Sequence, residues 1–305
     1  MSLAACDVHR RVAIGIEQRV GAMAPCDAPP PLGTLQADPC TCAHIGTTGS
    51  HLIGHLLLAK LLHAKLTSHG GPLPGAGSIT RQQWTIALAS LVLETRVPGD
   101  FVETGVYLGG TSIAMMSALA HYNATRLHWA CDSFQGLPSP RSQDRTMSTT
   151  ECRRVRGDDV KACSVGRKGL FKTNSSTFLT NVASYGLPTG RQRLRVVKGW
   201  FKDTLPARGM GQIAMLRLDG DVYSSTIDVL RRLYPRLSPG GVLLIDDAGS
   251  FAGAAAAVEE YRREKNITAT VYKQHEAGIG GKQWPFRRYE AVWWRKPLEA
   301  APRDA

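Results

Sequence analysis

The sequence predicts an α/β fold: a doubly wound, mostly parallel, Rossmann-like sheet with an N-terminal extension and a lid insertion. Three observations predict it. Short apolar runs bounded by Gly or Pro alternate with helix-patterned stretches along the 305-residue chain, as in parallel sheets with helices on both faces. A glycine turn, Gly105 to Gly109, follows one such run. Two further runs, at 213–221 and 241–247, end in paired carboxylates.

Residues 1–77 read as a poorly ordered extension plus a leading helix. The first 48 residues are rich in Ala, Pro, Gly, Thr and Cys, with Pro29-Pro30-Pro31 at the centre, a composition that builds no core. Asp7, His9 and Glu17 interrupt any secretory leader, although an organelle-targeting role is compatible with the segment. The leucine-rich stretch 51–66 is cut by His55, Lys60 and His63 and falls short of a membrane span. Its histidines read as a polar helix face rather than a metal site.

The domain proper is expected over 78–305. Pro98-Gly99 opens the first strand through Phe101 and Val102, and Thr111 or Ser112 is a suitable N-cap for a helix with Ile113, Met116 and Ala120 on one face. Glycines at 105 and 109 permit close backbone approach of a ligand. The spacing is not the dinucleotide fingerprint Gly-x-Gly-x-x-Gly, which disfavours an oxidoreductase. Glu103, at the strand end, suits an ammonium group and would repel a pyrophosphate. The second strand, 128–131, ends in Asp132, placed to accept ribose hydroxyls. A polar, charged stretch over about 139–173 reads as a lid. The third strand, 194–197, leads to Trp200, which could stack on a purine or sit in the core.

The fourth strand ends in Asp219 and Asp221 and the fifth in Asp246 and Asp247. Ligands of open α/β sheets bind beyond the carboxyl ends of the strands, so four carboxylates converge on one spot. Like charges so placed raise one another's pKa, and a hard cation such as Mg²⁺ resolves the conflict. The alternative is that the acids cap helices or loops. Helices are expected over 225–234, stopped near Pro235, and over 254–264.

Several strings together resemble one family, the macrocin O-methyltransferases. They are Glu103-Thr104-Gly105-Val106 with Gly109-Gly110, Asp132-Ser133-Phe134-Gln135-Gly136-Leu137-Pro138, residues 198–206, residues 216–226, and 237–241 followed by Asp246-Asp247. The resemblance covers roughly residues 80–297. It implies a class I fold that transfers a methyl group from S-adenosylmethionine to a sugar hydroxyl with Mg²⁺. It implies cofactor contacts at Glu103, Thr104, Gly105, Gly109, Thr111, Ser112, Asp132, Ser133 and Trp200. It further implies metal ligands Asp219, Asp246 and Asp247, and a general base, Asp221. The stretch 275–288 is longer, more glycine-rich and more basic than the family's usual closing strand pair.

The net charge of +12 is concentrated in 141–172 and 262–305. No basic helix with interleaved aromatics accompanies it, so a small hydroxyl substrate is expected rather than nucleic acid or a membrane. Self-association is compatible with the sequence. Seven cysteines, an odd number without Cys-x-x-Cys, suggest mostly reduced thiols in a cytoplasmic protein. The competing readings are a catechol-type O-methyltransferase, for which Asp221 would matter less, and a nucleic-acid-binding protein with an inactive methyltransferase fold.

Overall fold

The computed structural model describes residues 49–75, 77–145, 167–275 and 289–298. Helices α1 (Gly49–Gly70) and α2 (Ile79–Glu94) precede β1 (Asp100–Thr104), α3 (Gly110–His121) and β2 (His128–Asp132). A short α4 (Ser142–Arg145) and α5 (Ser175–Ser184) lead to β3 (Leu194–Lys198), the single turn α6 (Phe201–Thr204) and β4 (Ile213–Leu218). The chain continues through α7 (Tyr223–Leu233), β5 (Leu237–Ile245), α8 (Ala252–Glu264), β6 (Tyr272–His275) and β7 (Tyr289–Arg295).

The seven strands order as β3-β2-β1-β4-β5-β7-β6. Strands β1 to β5 pair in parallel, whereas β7 runs antiparallel to both β5 and β6. All six residues of β4 are buried, because helices cover both faces of the sheet. Side-chain alternation divides the core accordingly. Phe101, Met215, Leu244 and Trp293 join α1, α2, α3 and α5 on one face. Their sequence neighbours Val102, Leu216, Leu243 and Trp294 join α7 and α8 on the other. The order reverses between β1 and β4, which opens a crevice at their carboxyl ends.

The leading helix is no appendage. Leu56 and Ala59 of α1 belong to the core, and its His55 and His63 are enclosed rather than on a polar face. His63 Nε2 lies 2.6 Å from Gln82 Oε1, and His55 Nε2 lies 3.6 Å from Glu94. Residues 1–48, the middle of the expected lid (146–166) and the basic stretch 276–288 lie outside the described residues. Among the described residues no helix is long and apolar enough to cross a membrane. Cys131 is a buried free thiol.

Candidate active site

The crevice holds a cavity of about 430 Å³. Strand ends supply its floor: Gly105, Asp132, Ser133, Asp219, Gly220, Asp221 and Asp247. Connections supply the walls, including Gly75 and Gly77 of the α1–α2 linker, Leu137, Pro138, Phe171, Trp200, Phe201 and Phe251. Arg81 enters from α2.

At the first turn, Gly105 has φ +85°, and a Cβ there would lie 1.7 Å from the Asp219 carbonyl oxygen. The glycine thus permits contact between the β1 and β4 turns, on top of any room it leaves for a ligand. Asp219 N donates to Thr104 O at 2.8 Å and locks the same junction. Asp132 stitches the β1 and β2 turns together. Its Oδ2 accepts from Val106 N (2.9 Å) and Tyr107 N (3.1 Å), and its Oδ1 accepts from Phe134 N (2.7 Å). Burial outweighs these donors and leaves its pKa above the ordinary carboxylate value. Ser133 and Trp200 line the cavity as expected.

Glu103 is placed differently from the sequence expectation. It is fully buried beneath the cavity, where Thr111 Oγ1 and Ser112 Oγ donate to its carboxylate and Arg217 Nη1 donates at 2.9 Å. Thr111 and Ser112 are therefore spent on Glu103 instead of capping α3, whose N-cap is Gly109 at φ 94°. Gly109 faces the Phe178 ring, 2.9 Å from where a Cβ would stand. Thr104 is buried, with Oγ1 donating to Arg217 O at 3.4 Å.

The acidic cluster forms at the carboxyl ends of β4 and β5. Asp219, Asp221 and Asp247 each offer an oxygen within 4.8 Å of the others. Asp246 lies beside these three, paired with two arginines. Its Oδ2 receives Arg81 Nη1 at 2.7 Å and Arg217 Nη2 at 2.8 Å, and the residue is wholly buried. Asp221 occupies the left-handed region at φ 57°, a conformation that Asp tolerates better than most residues. It does not cap α7, because Asp144 Oδ1 takes the Tyr223 N–H at 2.7 Å.

Charge bookkeeping shows what the cluster requires. Glu103, Asp219, Asp221, Asp246 and Asp247 are five carboxylates, against two guanidinium groups, Arg81 and Arg217. Fully ionised, the group carries −5 + 2 = −3. Burial, then the charge of Asp219, pushes Asp221 up to about 7. Burial and the three neighbouring aspartates raise Asp247 well above the usual range. Burial acts the same way on Asp219, but Arg217, with its Nη1 2.9 Å away, a hydrogen bond from Asp247 and the charge of Arg81 together outweigh it and lower the pKa. Asp247 Oδ2 is buried without a hydrogen-bond partner among the described residues. A hard divalent cation fits this donor set: it removes two of the three excess charges and gives the orphaned oxygen a partner.

Sequence reasoning missed Arg81, Arg217 and the linker glycines. Arg217 sits inside an apolar strand and Arg81 on a helix remote in sequence, and only the surplus of acids calls for internal cations.

The family model for macrocin O-methyltransferase (TylF) matches residues 77–280. The chain is 38% identical over 193 residues to the 8-demethyl-8-(2,3-dimethoxy-alpha-L-rhamnosyl)-tetracenomycin-C 4'-O-methyltransferase of Streptomyces olivaceus, covering 62% of this chain and 67% of that protein. It is 36% identical over 188 residues to the mycinamicin III 3''-O-methyltransferase of Micromonospora griseorubida, covering 61% and 69%. The solved structure of the O-methyltransferase NovP superposes with a TM-score of 0.58 at 28% identity, over 81% of this chain and 99% of that one. A match across two thirds of the chain, on the strings that build this cavity, identifies the protein as a member of the macrocin O-methyltransferase family, the S-adenosylmethionine-dependent O-methyltransferases.

Proposed function

We propose that the protein methylates a hydroxyl of a sugar carried on a natural-product scaffold, with Mg²⁺ held by Asp219 and Asp247 and with Asp221 as proton acceptor. The observation that carries this reading is the cluster of Asp219, Asp221 and Asp247 at the floor of the same cavity as Gly105, Asp132 and Trp200. The names of the two relatives, a rhamnosyl-tetracenomycin and a mycinamicin methyltransferase, support the sugar assignment.

Bound S-adenosylmethionine would supply the sulfonium methyl, the new O–C bond forming as its C–S bond breaks and S-adenosylhomocysteine leaving. When bound, the cation supplies Lewis acidity to the acceptor hydroxyl. Asp221 takes the proton. An alcohol has a pKa near that of water, ~15.7, and an ordinary aspartate titrates near ~3.9. That gap of roughly 12 units corresponds to about 16 kcal/mol at ~1.36 per unit. Without a cation Asp221 sits at about 7, which narrows the gap to roughly 9 units; a cation bound beside it would lower that value and widen the gap again. The base alone is still insufficient, so its proton transfer must accompany methyl transfer. Asp246, neutralised by Arg81 and Arg217, holds the carboxyl end of β5 in place. Aromatic walls from Trp200, Phe201 and Phe251 exclude water and suit the apolar faces of a sugar ring.

The test is methyl transfer from labelled S-adenosylmethionine to a panel of glycosylated macrolides and their aglycones. Transfer to the glycosides that stops in excess chelator and returns with Mg²⁺ is expected. Transfer to the aglycone hydroxyls alone, or transfer indifferent to chelator, would overturn the sugar or the metal assignment respectively.

A further inference from the structure

We infer that Arg81 is a built-in competitor of the divalent cation: its guanidinium holds the acidic pair Asp246 and Asp247 before the ion arrives, and metal loading loosens the α2 wall of the cavity. This rests on the cation reading above and goes beyond it.

Arg81 stands in the first turn of α2, outside the sheet that carries the carboxylates. Its Nη1 lies 2.7 Å from Asp246 Oδ2 and 4.0 Å from Asp247 Oδ1. The same Asp246 oxygen already receives Arg217 Nη2 at 2.8 Å. Pairing Asp246 therefore does not by itself require Arg81, and its added charge falls on Asp247, a proposed ligand. The two arginines also differ in mobility. Arg217 is 1% exposed at the sheet centre, whereas the Arg81 side chain is 15% exposed in the cavity wall and has a route towards solvent.

A positive charge this close to a ligand oxygen opposes a doubly charged ion. Even with the dielectric of water, repulsion between this guanidinium and a doubly charged ion on Asp247 would weaken binding by about tenfold or more. The linker is shaped around this arginine. A Cβ on Gly77 would stand 3.1 Å from Arg81 Cδ and Nη1. Ser78 Oγ accepts from Arg81 N at 3.2 Å, and Gln82 Nε2 donates to Gly77 O at 3.2 Å. Withdrawing the guanidinium removes the ties that fasten the first turn of α2 to Asp246 and Asp247, and that turn borders the cavity.

The experiment titrates MgCl₂ calorimetrically into metal-stripped wild type, Arg81→Met and Arg81→Lys without cofactor. It also follows amide hydrogen exchange at 78–85 in the wild type. Expected are about tenfold tighter Mg²⁺ binding by Arg81→Met, near wild-type binding by Arg81→Lys, and faster exchange in the wild type on adding Mg²⁺. Unchanged or weaker binding by a natively melting Arg81→Met overturns the competition and makes Arg81 a positioner of the ligands. Should that variant not fold, wild-type exchange decides: rates unmoved by saturating Mg²⁺ overturn the proposal. If wild type binds no divalent cation, the metal reading itself falls, and this inference falls with it.

Discussion

Gly105→Ala is the sharpest perturbation of the site, because what the new methyl meets is backbone. The added Cβ would lie 1.7 Å from the Asp219 carbonyl oxygen, where real contacts stay beyond 3.0 Å. The difference, 3.0 − 1.7, requires the β1 and β4 turns to part by about 1.3 Å, and no rotamer change can absorb it. The native φ of +85° adds roughly 1–3 kcal/mol for a non-glycine residue. At ~2–4 °C per kcal/mol for a domain of this size, melting should fall by several degrees. The larger effect is on Asp219, which the separation carries away from Asp221 and Asp247. A displacement of ~1 Å can cost about 10²-fold in rate. Cofactor calorimetry, Mg²⁺ titration of turnover and a thermal melt should therefore all respond. Loss of cofactor affinity with an unchanged Mg²⁺ requirement would show that Gly105 serves only ligand approach. Native values for all three would refute the close junction itself.

Asp221→Asn should lower turnover by about 10²–10⁴ at saturating Mg²⁺ and cofactor, whereas Asp219→Asn should chiefly raise the Mg²⁺ needed; near-normal turnover in the first variant would remove Asp221 from proton transfer. Asp144→Ala leaves the Tyr223 and Arg141 N–H groups without their acceptor and should cost about 1–3 kcal/mol in denaturant unfolding, a loss that Asp144→Asn should partly restore. Glu103 carries a pH signature. Burial raises its pKa, but His128, Arg217 and Ser112 outweigh burial, so the folded value lies below 4.5. Its contribution is then full above pH 4.5 and lost as pH falls through the lower folded value. Glu103→Gln should flatten that acid limb, and an identical acid slope in wild type and variant would contradict the depressed value.

Much of this was legible because the information is local. An apolar run ending in acids, such as 213–221, declares a buried strand and its carboxyl end together, and the helix expected over 225–234 is found at Tyr223–Leu233. The floor residues Gly105, Asp132, Asp219, Asp221 and Asp247 follow from that logic. What sequence reading could not show is pairing across the fold. Arg81 meets Asp246 across 165 positions and Arg217 meets Glu103 across 114, and neither partner alters the other's local pattern. Those pairings set the surroundings of Asp246 and Glu103. The capping hydroxyls went astray for the same reason: Thr111 and Ser112 satisfy helix-start rules, but a buried carboxylate nearby is the stronger acceptor.

The division of the cavity into strand-end acids and loop-borne aromatics bears on how acceptor preference could diversify. Tyr107, Phe171, Trp200, Phe201 and Phe251 all lie on connections or at the first residue of a helix, where substitution leaves the sheet register untouched. A library confined to Phe171 and Phe251 should therefore retune which glycoside enters while the carboxylate floor stays intact, since neither position hydrogen-bonds an acid through its side chain. The scaffold separates chemistry from selectivity in space, so drift in one can proceed without repair in the other.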